Sequence, residues 1–270
     1  MALPEASPPH RIVSLVPSHT QSLHDLGLAE RVVGRTRFCI LPEGCVETVP
    51  VVGGTKDAKL ERILAQEPDL VVVDKDENPL ALVEQLREAG IEVLHSEIDT
   101  VEDAATFLQR LGERCGVPTA GRAARAAIEA TLAQVQPGPG EEALPVFCPI
   151  WYDPWMTFDA TAYPHAMLEA VGLRNVFADH EGTKYFEVAP EEVAGSGAAW
   201  TLLPTEPFPF HKQRDRVDTV PLGVAGGDGR VHVIDGEALT WFGTHTVRGL
   251  QELARVAKAL RGPGSEEKRR

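Results

Sequence analysis

The sequence predicts an α/β fold of two lobes, each built on a mostly parallel sheet, joined by one long helix. Three observations carry this. Short apolar runs alternate with amphipathic segments through the first hundred residues, and a similar alternation resumes after residue 143. Between them, Pro118–Gln136 (PTAGRAARAAIEATLAQVQ) reads as a single helix rich in Ala, Arg, Gln, Glu and Leu, which lose little rotamer freedom on coiling. The expected organisation is a flexible tail over 1–10, a lobe over 11–117, the connecting helix over 118–137, a second lobe over 143–261 and a tail over 262–270.

In the first lobe, Arg11–Pro17 is a strand-type run, followed by Ser18 as helix N-cap with Gln21 at the capping-box position before a helix over Thr20–Leu26 that Gly27 stops. Val32-Val33-Gly34 is the next strand, Phe38–Pro50 is loop-like, and Lys59–Gln66 is helical up to the break at Pro68. Leu70–Val73 is a continuous buried-type strand. Asn78-Pro79 reads as N-cap plus first-turn proline of a helix ended by Gly90. Ile91–Leu94 is a strand, and Thr100 caps a helix over Val101–Cys115. In the connecting helix Thr119 is the expected cap, Ala124, Ile128, Leu132 and Val135 form one narrow stripe, and Pro137-Gly138-Pro139-Gly140 ends it.

The second lobe repeats the pattern: strand Leu144–Pro149, helix Thr161–Val171 stopped by Gly172, a short helix at Ala189–Val193, strand Trp200–Leu203, strand Val231–Ile234 after a Gly-rich turn, and a long closing helix over Thr246–Leu260. SLHDLGLAERVVG in one half and MLEAVGLRNVFA in the other both end a helix on an apolar-Gly-Leu step and resume an apolar strand. That similarity is a weak internal repeat.

Forty acidic against 26 basic side chains give a formal net charge of −14. Such a surface excludes nucleic acid and anionic membranes as partners. No run of about 18 apolar residues spans a bilayer. The N-terminus MALPEASPPH lacks a basic and an apolar leader region, so a cytoplasmic protein is expected if Met1 is the native start. Cys39, Cys45, Cys115 and Cys148 lack zinc spacing; Cys39 and Cys45 could pair across a loop, but isolated buried thiols are expected.

Ligands of such folds bind at the carboxyl ends of parallel strands and at the domain interface. In the first lobe these ends carry Ser18 and His19 at a helix start, Gly53–Asp57 with Thr55 and Lys56, and Asp74–Asn78 with Glu77. Gly53–Asp57 lacks the GxxxxGK[ST] phosphate-loop pattern. Asp74, Asp76 and Glu77 are alternatively cation ligands or a solvated loop. The second lobe is richer. Trp151, Tyr152 and Trp155 follow one strand, Glu206 and Phe208 a second, and Asp235, Glu237 and Trp241 a third. Aromatics supply flat contact area at low entropic cost. The alternative is that they plug a lobe contact. Glu206 with Asp235 or Glu237 could also form an acid–base pair, though no nucleophile elbow or HExxH motif is present. His165 and His245 show no metal-ligand spacing.

RIVSLVPSHTQSL, VPVVGGTKDAKLERILAQEPDLVVV, PWMTFDATAYPHAMLEAVGLRNVFAD, TLLPTEPFPF and VIDGEALTWFGTHT resemble segments of the cobalamin and iron-siderophore substrate-binding proteins of ABC transporters, the helical-backbone, class III type. The resemblance covers nearly all of residues 11–260. It implies a receptor rather than a catalyst, with no required cofactor and no side-chain metal site. The candidate ligand is cobalamin or another metal chelate, held in an interlobe cleft, and the helix limits closure. Phe38 matches the aromatic that follows the second strand, while the tryptophan common before the KLERIL-like helix falls at or near Thr55. Tyr185 completes the implied binding set. Glu61 and Glu191 match the glutamates that family members present to a membrane permease, so an ABC permease is the implied partner of a monomeric receptor. Secreted relatives are periplasmic or cell-surface proteins, the compartment implied if Met1 is not the native start. The alternatives are a cytoplasmic handling protein for another small molecule and a carboxylate-dependent enzyme.

Overall fold

Leu70–Asp74 (β4) is buried along its whole length, as a strand covered on both faces must be. It lies second from the edge of a five-stranded sheet in a computed structural model that describes residues 7–213, 217 and 230–262. The chain divides into two units. The first holds the residues up to Ile98, Glu102–Glu129 and Phe242–His245; the second holds Asp99–Val101, Ala130–Trp241 and the chain from Thr246.

The first unit's sheet has the order β3-β2-β1-β4-β5, where β1 is Ile12–Ser14, β2 Val32–Thr36, β3 Val51–Gly53 and β5 Glu92–Ser96. Every pairing is parallel. Its helices are α1 (Pro17–Asp25), α2 (Leu60–Leu64), α3 (Leu80–Glu88), α4 (Val101–Arg114) and the first part of α5 (Pro118–Val135). Val13, Leu15, Val52, Ile63, Val71, Val73, Val83 and Leu86 form its core. Gly27, at φ +78°, closes α1: its N–H donates to the His24 carbonyl at 2.9 Å, and the Leu28 N–H donates to Leu23 at 2.9 Å. This pair of bonds satisfies the last carbonyls of the helix and needs a left-handed residue.

The second unit's sheet has the order β11-β10-β6-β8, all parallel, with β6 Leu144–Phe147, β8 Leu173–Asn175, β10 Trp200–Pro204 and β11 Val231–Ile234. An antiparallel pair, β7 (Met156–Phe158) and β9 (Tyr185–Glu187), stands beside it. Helices α6 (Tyr163–Ala170), α7 (Pro190–Gly195), α8 (Gly236–Thr240) and α9 (His245–Arg261) complete the elements. Phe147, Trp155, Val193, Leu203, Phe208 and Phe210 are central to its core.

Several expectations need correction. Helix α1 begins at Pro17 with Val16 at the N-cap and no side-chain cap. Ser18 therefore does not cap it; Ser18 lies inside the first turn and is buried. Asn78 is likewise not a cap, since Pro79 holds that position. The Asn78 amide instead ties loops together, accepting from the Asp74 N–H at 2.9 Å and donating to the Leu15 carbonyl at 3.2 Å and the Thr55 carbonyl at 2.9 Å. Helix α5 starts at Pro118, so Thr119 falls within its first turn. The α6 helix starts two residues later than expected because Asp159 holds Thr161 in a turn, accepting from both its N–H and its hydroxyl at 2.7 Å. Strands β3, β7 and β9 and helix α8 are additions. All four cysteines are free, but Cys45 is exposed rather than buried. The Gly-rich turn before Val231, most of the first ten residues and nearly all of the closing tail lie outside the described residues.

Candidate functional site

Three strands of the second unit's sheet, β11, β10 and β6, lie side by side, so the segments leaving their carboxyl ends are neighbours. After β6 the chain turns at Asp153, whose φ of +64° is left-handed. The Ile150 N–H donates to the Met156 carbonyl at 2.8 Å and closes the turn. This turn separates two tryptophans four positions apart: Trp151 is 44% exposed, whereas Trp155 is 7% exposed.

Trp155 stacks on Phe210 with centroids 6.0 Å apart and meets Phe147 edge-on at 6.2 Å. Phe208, also buried, packs 4.7 Å from Phe210. Trp151 stands edge-on to Phe208 at 5.4 Å, and half-buried Tyr152 lies 4.9 Å from Trp155. Trp155 and Phe208 pack in the core of the second unit, whereas Trp151 and Tyr152 form the accessible edge of the cluster.

Two residues before Phe208, Glu206 occupies a built pocket. Its Oε1 accepts from Trp241 Nε1 at 2.7 Å and lies 3.0 Å from Thr240 Oγ1. Gly236 makes the close approach possible, since a Cβ there would fall 2.5 Å from Glu206 Cγ. Trp241, 8% exposed, buttresses this carboxylate. Asp235 caps α8 by accepting from the Glu237 N–H at 3.1 Å, and Arg248 reaches its other oxygen at 3.4 Å. Burial pushes the Glu206 carboxyl above its ordinary range, and Glu237 and Asp235 push it further. Glu237 is raised by burial and by Asp235. The three carboxylates thus share one neighbourhood. Tyr185 is partly exposed on β9, opposite Phe158 in the antiparallel ribbon.

In the first unit, Phe38 is 50% exposed just beyond β2, with the Arg37 guanidinium 5.0 Å above its ring. Arg37 also pairs with Asp57 at 2.9 Å, and Asp57 accepts from the Gly54 N–H at 2.6 Å. Lys56 Nζ donates to the Asp76 carbonyl. Glu77 is raised by burial and lowered by Lys56 and by a hydrogen bond from Thr55. Phe38, Thr55, Lys56 and Glu77 thus gather at the ends of β2, β3 and β4. Ser18 and His19 do not join them as open contacts. His19 is fully buried on the inner face of α1, stacked 4.5 Å from Phe107 of α4. Asp74 is also buried, accepting from Ser96 Oγ at 2.6 Å. No group of three His, Cys, Asp or Glu suited to a metal ion occurs among the described residues. His165 lies 3.6 Å from Glu169, and His245 Nδ1 lies 3.0 Å from Gln21 Oε1.

Sequence reading missed Arg37, Thr240 and Gly236. Arg37 adjoins Phe38 and Thr240 adjoins Trp241, a signal available in the chain, but the Gly236 contact is purely tertiary.

Parallel strands that end in aromatic and acidic loops, once in each of two α/β units, define a solute-binding class of protein. The chain belongs to the periplasmic binding protein family, whose model matches residues 12–207. A vitamin B12-binding protein of Vibrio campbellii is 28% identical over 187 residues, 69% of this chain and 67% of the relative. An uncharacterized ABC transporter substrate-binding lipoprotein of Bacillus subtilis, YvrC, is 25% identical over 259 residues, 91% of this chain and 79% of the relative. Among solved structures, the apo periplasmic heme-binding protein RhuT from Roseiflexus sp. RS-1 superimposes with a TM-score of 0.80 at 21% identity, over 93% of this chain and 98% of that one, and so shares the fold. No described helix is long and apolar enough to cross a membrane.

Proposed function

We propose that the chain is the substrate-binding receptor of an ABC-type importer and that its ligand is a cobalamin-like corrinoid or another metal chelate. The observation that carries this reading is the accessible aromatic edge Trp151–Tyr152, seated on Phe208 and Trp155 beside the held carboxylate Glu206. A large, rigid, mostly flat ligand gains contact area on such an edge without ordering flexible side chains. The vitamin B12-binding relative and the heme-binding neighbour support the tetrapyrrole class. On this reading Phe38, Thr55, Lys56 and Glu77 are the ligand-contact candidates of the first unit, and no resident cofactor is needed.

The partner is an ABC permease, contacted through Glu61 and Glu191 by a monomeric receptor. Both glutamates are exposed and lie in the first turns of α2 and α7. Titration of tryptophan fluorescence with cyanocobalamin, dicyanocobinamide, hemin and a ferric siderophore tests the ligand class. Saturable quenching by at least one at micromolar or tighter affinity is expected; a flat response to all four refutes it. The shared neighbourhood of Glu206, Asp235 and Glu237 is what the carboxylate-enzyme alternative requires. A bound corrinoid whose mass is altered after prolonged incubation would favour that alternative.

A further inference from the structure

We propose that Glu206 is the specificity-determining residue of the second unit's wall: a fixed acceptor that selects ligands presenting N–H donors, such as the amide side chains of a corrinoid, and rejects ligands presenting carboxylates, such as the propionates of haem. The inference rests on the receptor reading above and sharpens its ligand class.

Five observations carry it. Glu206 Oε1 is fixed by the Trp241 indole N–H at 2.7 Å, an unambiguous donor, with Thr240 Oγ1 at 3.0 Å. Glu206 fills the space beside Gly236, where an added Cβ would fall 2.5 Å from its Cγ, so the pocket accepts Glu206 only because residue 236 is glycine. Among the described residues no donor reaches Oε2, so that oxygen remains an acceptor with an unused capacity. Acidic neighbours dominate among the described residues: Asp235 and Glu237 both raise Glu206, and the one cation beside them, Arg248, is directed to Asp235 at 3.4 Å. Two residues along, Phe208 carries the edge-on, exposed Trp151 at 5.4 Å, which places this acceptor beside the surface a flat ligand would cover. A carboxylate arriving at Glu206 therefore meets the repulsion of clustered acids, whereas an amide N–H completes a hydrogen bond.

The test compares cyanocobalamin with its monocarboxylic acids, in which one propionamide at a time is hydrolysed, and with hemin, by fluorescence titration or calorimetry at neutral pH. At least one monocarboxylate is expected to bind about tenfold or more weakly than cyanocobalamin. Glu206→Gln keeps an acceptor for Trp241 and puts an NH2 in place of Oε2, so the gap for that isomer should close or reverse. Glu237→Gln should narrow the gap without reversing it, a second readout if the first variant misfolds. Equal affinity for all the acids, or a gap unchanged in Glu206→Gln, overturns the inference. Hemin binding more tightly than cyanocobalamin also overturns it while leaving the receptor reading standing; no binding by any corrinoid or by hemin removes both.

Discussion

Ser96 Oγ lies 2.7 Å from His19 Nε2 and 2.6 Å from Asp74 Oδ2, joining α1, β4 and β5 in one buried polar chain. A hydroxyl has a single proton. Ser96 gives that proton to Asp74, so His19 donates its Nε2–H to Ser96 as a neutral imidazole. Loss of hydration depresses the His19 pKa to about 3. The unfolded chain takes up this proton near the ordinary value of 6.5, whereas the folded chain does not until about 3. Between those values the unfolded state binds more protons, so stability falls as pH drops below about 6.5, by up to ~1.4 kcal/mol per pH unit for this group. Asp74, raised by burial, acts in the opposite sense. Urea midpoints of the protein and of His19→Gln over the acid range should diverge in slope, the variant being the shallower. Parallel curves would mean that His19 does not control the acid limb.

Helices α4 and α5 meet at two glycines. A Cβ on Gly112 would fall 2.7 Å from the Gly121 Cα, and one on Gly121 would fall 2.8 Å from the Leu108 carbonyl oxygen. Backbone cannot yield as a flexible side chain does, so Gly112→Ala should cost about 1–3 kcal/mol despite alanine's better helix propensity. Chemical denaturation measures this directly. A stabilised Gly112→Ala would show that the two helices separate at no cost.

The legible parts of the sequence were those with strong local periodicity. Leu70–Val73 has one reading, an apolar run covered on both faces, and the helix over Pro118–Val135 is bounded by proline at each end. The aromatic and acidic convergence was also legible, because its residues follow strands that the sheet order places side by side. Three-residue strands such as Met156–Phe158 carry too little pattern to separate from a loop. The burial of Ser18 and His19 was hidden for a different reason. A polar residue at a helix start looks like a cap unless its partner is known, and the partner of His19 lies 77 positions away. Trp151 and Trp155 share composition and loop; only the left-handed turn at Asp153 decides which one faces solvent.

That turn makes the two tryptophans separable by experiment. Trp151→Ala should weaken corrinoid binding about tenfold or more with little change in melting temperature, because its ring is 44% exposed and rests on Phe208 from outside. Trp155→Ala removes a buried ring stacked on Phe210 and should cost about 3–5 kcal/mol of folding stability. Thermal melts and fluorescence titrations on both variants check the pair. Equal losses of affinity at equal stability would contradict the assignment of edge and support.

Glu191 and Glu192 sit together in the first turn of α7 and should behave differently. Glu192 accepts from the Ala189 N–H at 2.8 Å and so caps the helix. Glu191 is exposed and its side chain makes no hydrogen bond or ion pair among the described residues; the same holds for Glu61 in α2. A carboxylate near a helix N-terminus is mildly favourable on its own, so removing either should barely change stability. If both serve to dock a permease, Glu61→Ala and Glu191→Ala should weaken receptor-stimulated ATP hydrolysis by the reconstituted permease about three- to tenfold each, with ligand affinity unchanged. Glu192→Ala should instead lower the melting temperature while sparing that stimulation. Stimulation undiminished in the Glu61→Ala, Glu191→Ala double variant would remove the docking assignment and leave the binding site intact.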